Sequence, residues 1–138
     1  MRKAVVVVFL SLLLSGPSWA ADGNGVVSTV VSKGTSSWDG APLPSYEKGQ
    51  PEITILRITV PPGTSLNLHK HPMINAGVLL EGELTVVTEE GKTLHLKAGD
   101  GIIEVVNTWH YGKNEGDKPA VIIVFYAGVA GMPLTVSR

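Results

Sequence analysis

From Glu52 to Tyr126 the chain is a succession of short runs rich in β-branched residues, each closed by a turn signal. Valine, isoleucine and threonine suit a pleated strand and lose side-chain freedom in a helix. No segment shows a sustained helical period. Strands are expected over Glu52–Val60, Leu66–Lys70, Ile74–Leu80, Glu83–Thr88, Thr93–Lys97, Gly101–Val106, Trp109–Lys113 and Ala120–Tyr126. Pro61-Pro62-Gly63 ends the first run. Glu89-Glu90-Gly91-Lys92, Lys97-Ala98-Gly99-Asp100 and Asn114-Glu115-Gly116-Asp117 separate later ones. Regularly spaced short strands of this kind imply an all-β barrel or sandwich.

The N-terminus has a different character. Met1-Arg2-Lys3 precedes an apolar stretch from Ala4 to Leu14, and Ser18-Trp19-Ala20 supplies small residues for cleavage. This is the layout of a secretory signal peptide over residues 1–20. The apolar stretch is too short to span a bilayer, which sets it apart from a membrane anchor. No twin-arginine pair is present, so export in the unfolded state to a periplasmic location is expected. Removing 20 of 138 residues leaves 118; the 11 basic groups become 9 against 12 acidic, a net charge of −3. Such a chain offers no basic surface to nucleic acid. It shows no basic amphipathic helix for a membrane surface. The remaining length suits one domain over residues 51–128, preceded by a polar, turn-rich arm at 21–50 and followed by a tail at 129–138. Within the arm, Val26–Val31 suits a short strand, and Trp38 and Tyr46 need surfaces to pack on. Cysteine is absent, so neither disulfides nor thiolate ligands are available.

Histidine carries the chemistry. His69-Lys70-His71 places two imidazoles on one side of a strand, because strand side chains alternate between faces. His110 follows 39 residues after His71 and can close the set from another strand. Three imidazoles meeting at one point make a divalent-metal site. Taken singly, His69 and His71 could be a solvated strand end, and His110 a structural neighbour of Trp109 and Tyr111. His95 alternates with Leu94 and Leu96 and is expected at the surface.

The spacing around these histidines resembles the cupin family. Gly63, His69, His71, Asn75 and Gly82 fall in the order of the first cupin motif. Gly99, Val105-Val106-Asn107, His110 and Asn114 fall in that of the second, with sixteen residues between the two. The resemblance implies an antiparallel jelly-roll barrel that encloses one metal ion, and it implies a homodimer. Residues 21–50 would suit an exchanged arm anchored by Trp38 and Tyr46.

The chain also departs from the family pattern. Asn75 stands where many metal-dependent cupins carry a glutamate ligand. A neutral amide there could touch the metal, hold a water or substrate, or bond a strand end. Three neutral histidines leave a divalent ion at +2, more Lewis acidic and more open to an anionic chelating ligand. The resemblance is therefore to the three-histidine cupins. Glu104, among apolar residues, is costly to bury unless paired, and is expected either to face outward or to serve the site as hydrogen-bond acceptor or general base. Val105 and Asn107 replace the second motif's proline and glycine. Asparagine tolerates positive φ, so the turn that aims His110 can survive.

The function expected from these residues is a metal-dependent enzyme of dioxygenase type on a small chelating organic substrate. Isomerase or lyase chemistry is a further option. The alternative is a non-catalytic module that captures a small ligand or metal. Zinc, copper, iron, manganese and nickel all suit the ligand set, affinity favouring zinc and copper.

Overall fold

The computed structural model describes residues 20–21 and 25–138. The signal-peptide reading falls on residues 1–20, of which 1–19 lie outside the described residues. The described elements are all strands: β1 (Ala20–Ala21), β2 (Val27–Ser28), β3 (Pro51–Val60), β4 (His69–Lys70), β5 (Ile74–Glu81), β6 (Glu83–Thr88), β7 (Thr93–Lys97), β8 (Gly101–Ile103), β9 (His110–Lys113), β10 (Ala120–Val129) and β11 (Val136–Ser137).

Two antiparallel sheets form the body. One has the order β3-β10-β5-β8, the other β11-β4-β9-β6-β7; β1 and β2 make a separate pair. Among the described residues no strand ladder joins the two larger sheets, so the expected barrel is two facing sheets rather than a closed wall. Period-two alternation decides which side chains lie between them. In β10, Ile122, Val124 and Tyr126 are buried while Phe125 points outward. Val60 of β3, Leu79 of β5 and Leu84 and Val86 of β6 complete a core shared by both sheets. Each such side chain contributes about 1.5–3 kcal/mol on burial.

The chain crosses between the sheets at Gly82, the single residue separating β5 from β6. Its φ is 73°, and a Cβ there would stand 2.5 Å from the Pro119 carbonyl oxygen. Only glycine fits a left-handed backbone pressed this closely on another segment.

Several elements differ in extent from the sequence expectation. Leu66 and Asn67 are outside β4, and the strand beginning at Gly101 stops at Ile103, before Glu104. β10 runs three residues past Tyr126, to Val129. The expected strand over Val26–Val31 is paired only at Val27–Ser28. Residues 129–138 do not trail away: β11 returns to pair with β4, Ser137 opposite His69. Tyr46 does not pack as expected; it is 79% exposed. Trp38 does pack, partly buried against the core of its own chain, so it needs no partner chain to seat it.

Candidate metal centre

His69 of β4 and His110 of β9 are direct partners across an antiparallel pairing. Residues opposed in this way bring their side chains together. His71 lies one residue beyond β4. Its carbonyl oxygen accepts a 2.8 Å bond from the Asn107 backbone N–H, and Asn107 holds a φ of 54°. The asparagine turn thus survives the loss of the motif glycine and ties the two histidine segments together. Ring centroids of the three imidazoles are 4.5–5.1 Å apart, and one ligand nitrogen from each lies within 4.8 Å of the others. His71 and His110 are buried; His69 is half-buried.

The hydrogen bonds fix which nitrogens face inward. Nδ1 of His69 meets the Asn67 carbonyl at 2.7 Å, that of His71 the Leu134 carbonyl at 2.7 Å, and that of His110 the Thr108 carbonyl at 2.8 Å. A carbonyl can only accept, so each Nδ1 carries a proton and each Nε2 is the nitrogen left free of the backbone. Burial drives the pKa of His71 and of His110 down to about 4, which keeps both rings neutral at pH 7. Nε2 lone pairs brought together in this way repel one another unless a cation lies among them. Backbone carbonyls that orient the far nitrogen are the usual support of metal-bound histidines. The donor set therefore fits a divalent metal ion held by His69, His71 and His110.

Glu104 adjoins this cluster. It is 9% exposed and lies just beyond β8, where its backbone N–H donates to the Asn75 carbonyl at 3.0 Å. Its Oε1 accepts two bonds of 2.8 Å, from the Trp38 indole Nε1–H and from the Val105 N–H. Its Oε2 lies 3.7 Å from Nε2 of His110. Burial raises the carboxyl pKa, against the two hydrogen bonds, which lower it. The alternative of an outward-facing carboxylate does not hold, since Glu104 is buried beside the histidines. Asn75 is also buried; its Nδ2 donates to the Met73 carbonyl at 3.4 Å, and the residue lines the same cavity. His95 is exposed and lies apart from the cluster, beside Thr85.

The cavity measures about 350 Å³. Its polar pole is formed by the three histidines, Asn75 and Glu104, and its walls by aliphatic side chains of both sheets. Three participants were not identifiable as such from the sequence. Trp38 reaches Glu104 across 66 positions. Leu134 acts through its carbonyl. Tyr126 sets its ring edge-on to His71 at 5.3 Å, its hydroxyl pKa raised by burial and then by the Glu104 charge. Only the place of Tyr126 in a strand pattern hinted at an inward side chain.

Two facing antiparallel sheets around a three-histidine cluster define a β protein with an internal pocket whose donors could hold a metal ion. The sequence model of the cupin domain matches residues 56–126, just over half of the chain, and the chain belongs to the cupin family. Solved structures agree on the fold. An oxalate oxidase bound to the substrate analogue glycolate is 22% identical, with a TM-score of 0.53, over 62% of this chain and 45% of that one. A double-stranded β-helix protein from Klebsiella pneumoniae is 22% identical, with a TM-score of 0.55, over 67% of this chain and 82% of that one. The DMSP lyase DddQ from Ruegeria pomeroyi is 21% identical, with a TM-score of 0.55, over 72% of this chain and 47% of that one. The chain thus spans about half the length of the oxidase and of the lyase. No curated protein sequence matches this one.

Proposed function

We propose that this protein is an exported, mononuclear metal-dependent cupin enzyme that oxidises a small chelating organic substrate. The observation that carries the reading is the pairing of three inward Nε2 lone pairs with one buried carboxylate, Glu104, whose second oxygen lies 3.7 Å from His110. His69, His71 and His110 would hold the ion. Asn75 would line or complete its surroundings. A divalent ion held by three neutral ligands supplies Lewis acidity and, when redox-active, electrons for oxygen chemistry.

The chain's own groups do the rest. Glu104 is fixed through Oε1, so Oε2 stays aimed at the ligand's chelating head and accepts its proton. Burial raises the basicity of that carboxylate, which suits it to this step. The aliphatic walls exclude water. In a dioxygenase-type reaction O2 is the oxidant, and both its atoms enter the products as a substrate C–C bond breaks. Ligand capture without turnover needs no oriented base, and the Trp38–Glu104 arrangement favours the enzyme over that alternative.

Export to the periplasm is part of the proposal, supported by the pattern of residues 1–20. So is a homodimer: Ile53, Ile55 and Phe125 are exposed on the outer face of the four-stranded sheet, with Phe125 paired directly to Ile55. The test of function is oxygen uptake by protein loaded in turn with iron, manganese, cobalt, nickel, copper and zinc, against a panel of 1,3-dicarbonyls, flavonols and catechols. Turnover with at least one metal is expected. No uptake with any metal would overturn the enzyme reading.

A further inference from the structure

The cavity is chemically lopsided. Its ionisable side chains lie together: the three histidines, Glu104, and Tyr126, whose ring is edge-on to His71 at 5.3 Å. The remaining lining is mostly aliphatic, with Ile58 and Val60 from β3, Leu84 and Val86 from β6, Ile122 and Val124 from β10, and its other polar members, Asn67, Thr135 and Ser137, carry no charge. Among the described residues that line it there is no lysine and no arginine. Leu56 and Leu66, each more than a third exposed, are the most open of its aliphatic lining residues.

This distribution limits the charge a ligand can carry. Three neutral imidazoles leave a divalent ion at +2, and Glu104 supplies −1. While Glu104 is ionised, before it takes up any proton, one further negative charge brings the pole to neutrality. A second, placed further along the ligand, would meet aliphatic groups and the uncharged Asn67, Thr135 and Ser137, with no cationic side chain among the lining residues. Burying an unpaired carboxylate in such surroundings is strongly unfavourable. The volume lies near the lower end for small-molecule pockets. We infer that the site selects small ligands with one singly anionic chelating head and an apolar body, and rejects those that carry a second, distal anion.

This inference rests on the metal-site reading above but not on turnover. It is tested by binding to full-length mature protein loaded with cobalt(II), read from the visible absorption of the metal. The probes are hydroxamates, which share one chelating head: acetohydroxamate, butanohydroxamate, hexanohydroxamate and the monohydroxamate of succinic acid. Each added pair of methylenes should tighten binding about tenfold, since each buries more apolar surface. The succinic compound should bind at least tenfold more weakly than butanohydroxamate, which has the same chain length. In Leu56→Lys, a change at a partly exposed lining position, the affinity of the succinic compound relative to butanohydroxamate should rise at least threefold.

Affinity independent of chain length, a succinic compound bound as tightly as butanohydroxamate, or no spectral response to any probe would each overturn the inference. The affinity ladder without oxygen uptake on any substrate would uphold it and remove the enzyme reading alone. Oxygen uptake without the ladder would do the reverse.

Discussion

Oε2 of Glu104 faces Nε2 of His110 at 3.7 Å, and with Nδ1 on the Thr108 carbonyl and the ring's pKa down at about 4, that Nε2 is a lone pair. Two lone-pair bearers in a buried space repel, and a cation beside them turns that repulsion into coordination or close support. The same geometry leaves Oε2 open to a ligand's acidic hydrogen. Glu104→Gln keeps the shape and removes the base. We expect metal content to be unchanged and kcat on the active substrate to fall at least 100-fold. Loss of metal along with activity would instead make Glu104 a direct ligand.

Trp38 holds Glu104 from the N-terminal arm through a 2.8 Å bond. Its own backbone N–H donates to the Ile103 carbonyl at 2.9 Å, which seats the arm beside the end of β8. Trp38→Phe removes the indole donor and keeps most of the apolar contact. A hydrogen bond to a charged, buried group contributes roughly 1.5–3 kcal/mol. We expect urea unfolding to register a loss of about that size, with metal stoichiometry intact and kcat reduced more than KM is changed. Unaltered stability and kcat would show that the bond has no role in fixing the carboxylate.

The metal-free protein should lose stability in mild acid. Burial depresses the folded-state pKa of His71 and His110 to about 4, below the ordinary 6.5. Between those values the unfolded chain binds protons that the folded chain refuses, so stability falls as pH drops through this window and is level above it. By pH 5 the loss is on the order of 2 kcal/mol for each histidine. The raised pKa of Glu104 works in the opposite direction just above 4.5 and offsets part of this. Thermal unfolding of stripped protein from pH 8 to pH 5 checks it. A Tm that rises toward pH 5 would contradict the buried, neutral histidines.

The outer face of the four-stranded sheet bears on assembly. Ile55 is 55% exposed and sits opposite Phe125 across the β3–β10 pairing. An apolar patch of this kind on a sheet invites a partner. Ile55→Glu should convert the dimer to a monomer in sedimentation equilibrium without lowering metal content. A monomeric parent protein, or a variant that stays dimeric, would exclude this face.

Much of this architecture was legible before folding. The β-branched runs and their glycine turns marked the strand succession, and the spacing of His69, His71 and His110 marked the cluster. Those signals are local, or fixed by strand register. Asn107 was readable because its φ demand is a property of one residue. Contacts between segments far apart in sequence were not readable. The Trp38–Glu104 bond joins an irregular loop to a strand end, with no period to announce it. The Leu134 carbonyl that orients His71 belongs to the backbone, which any residue could supply. β11 is two residues long, too short for alternation to register, yet it closes the sheet beside His69. Tyr46 was read as needing a surface, and on this chain its ring is exposed.

The account stands on three Nε2 atoms that share one cation. The direct measurement is elemental analysis of protein purified from its native compartment, beside a His110→Ala variant purified in the same way. One equivalent of a divalent transition metal is expected in the parent. In the variant, affinity should fall at least 100-fold and the metal should be lost on dialysis, while His95→Ala retains it. A parent protein that neither carries nor takes up such an ion, or a His110→Ala variant that keeps a full equivalent, would contradict the metal centre and every function built on it.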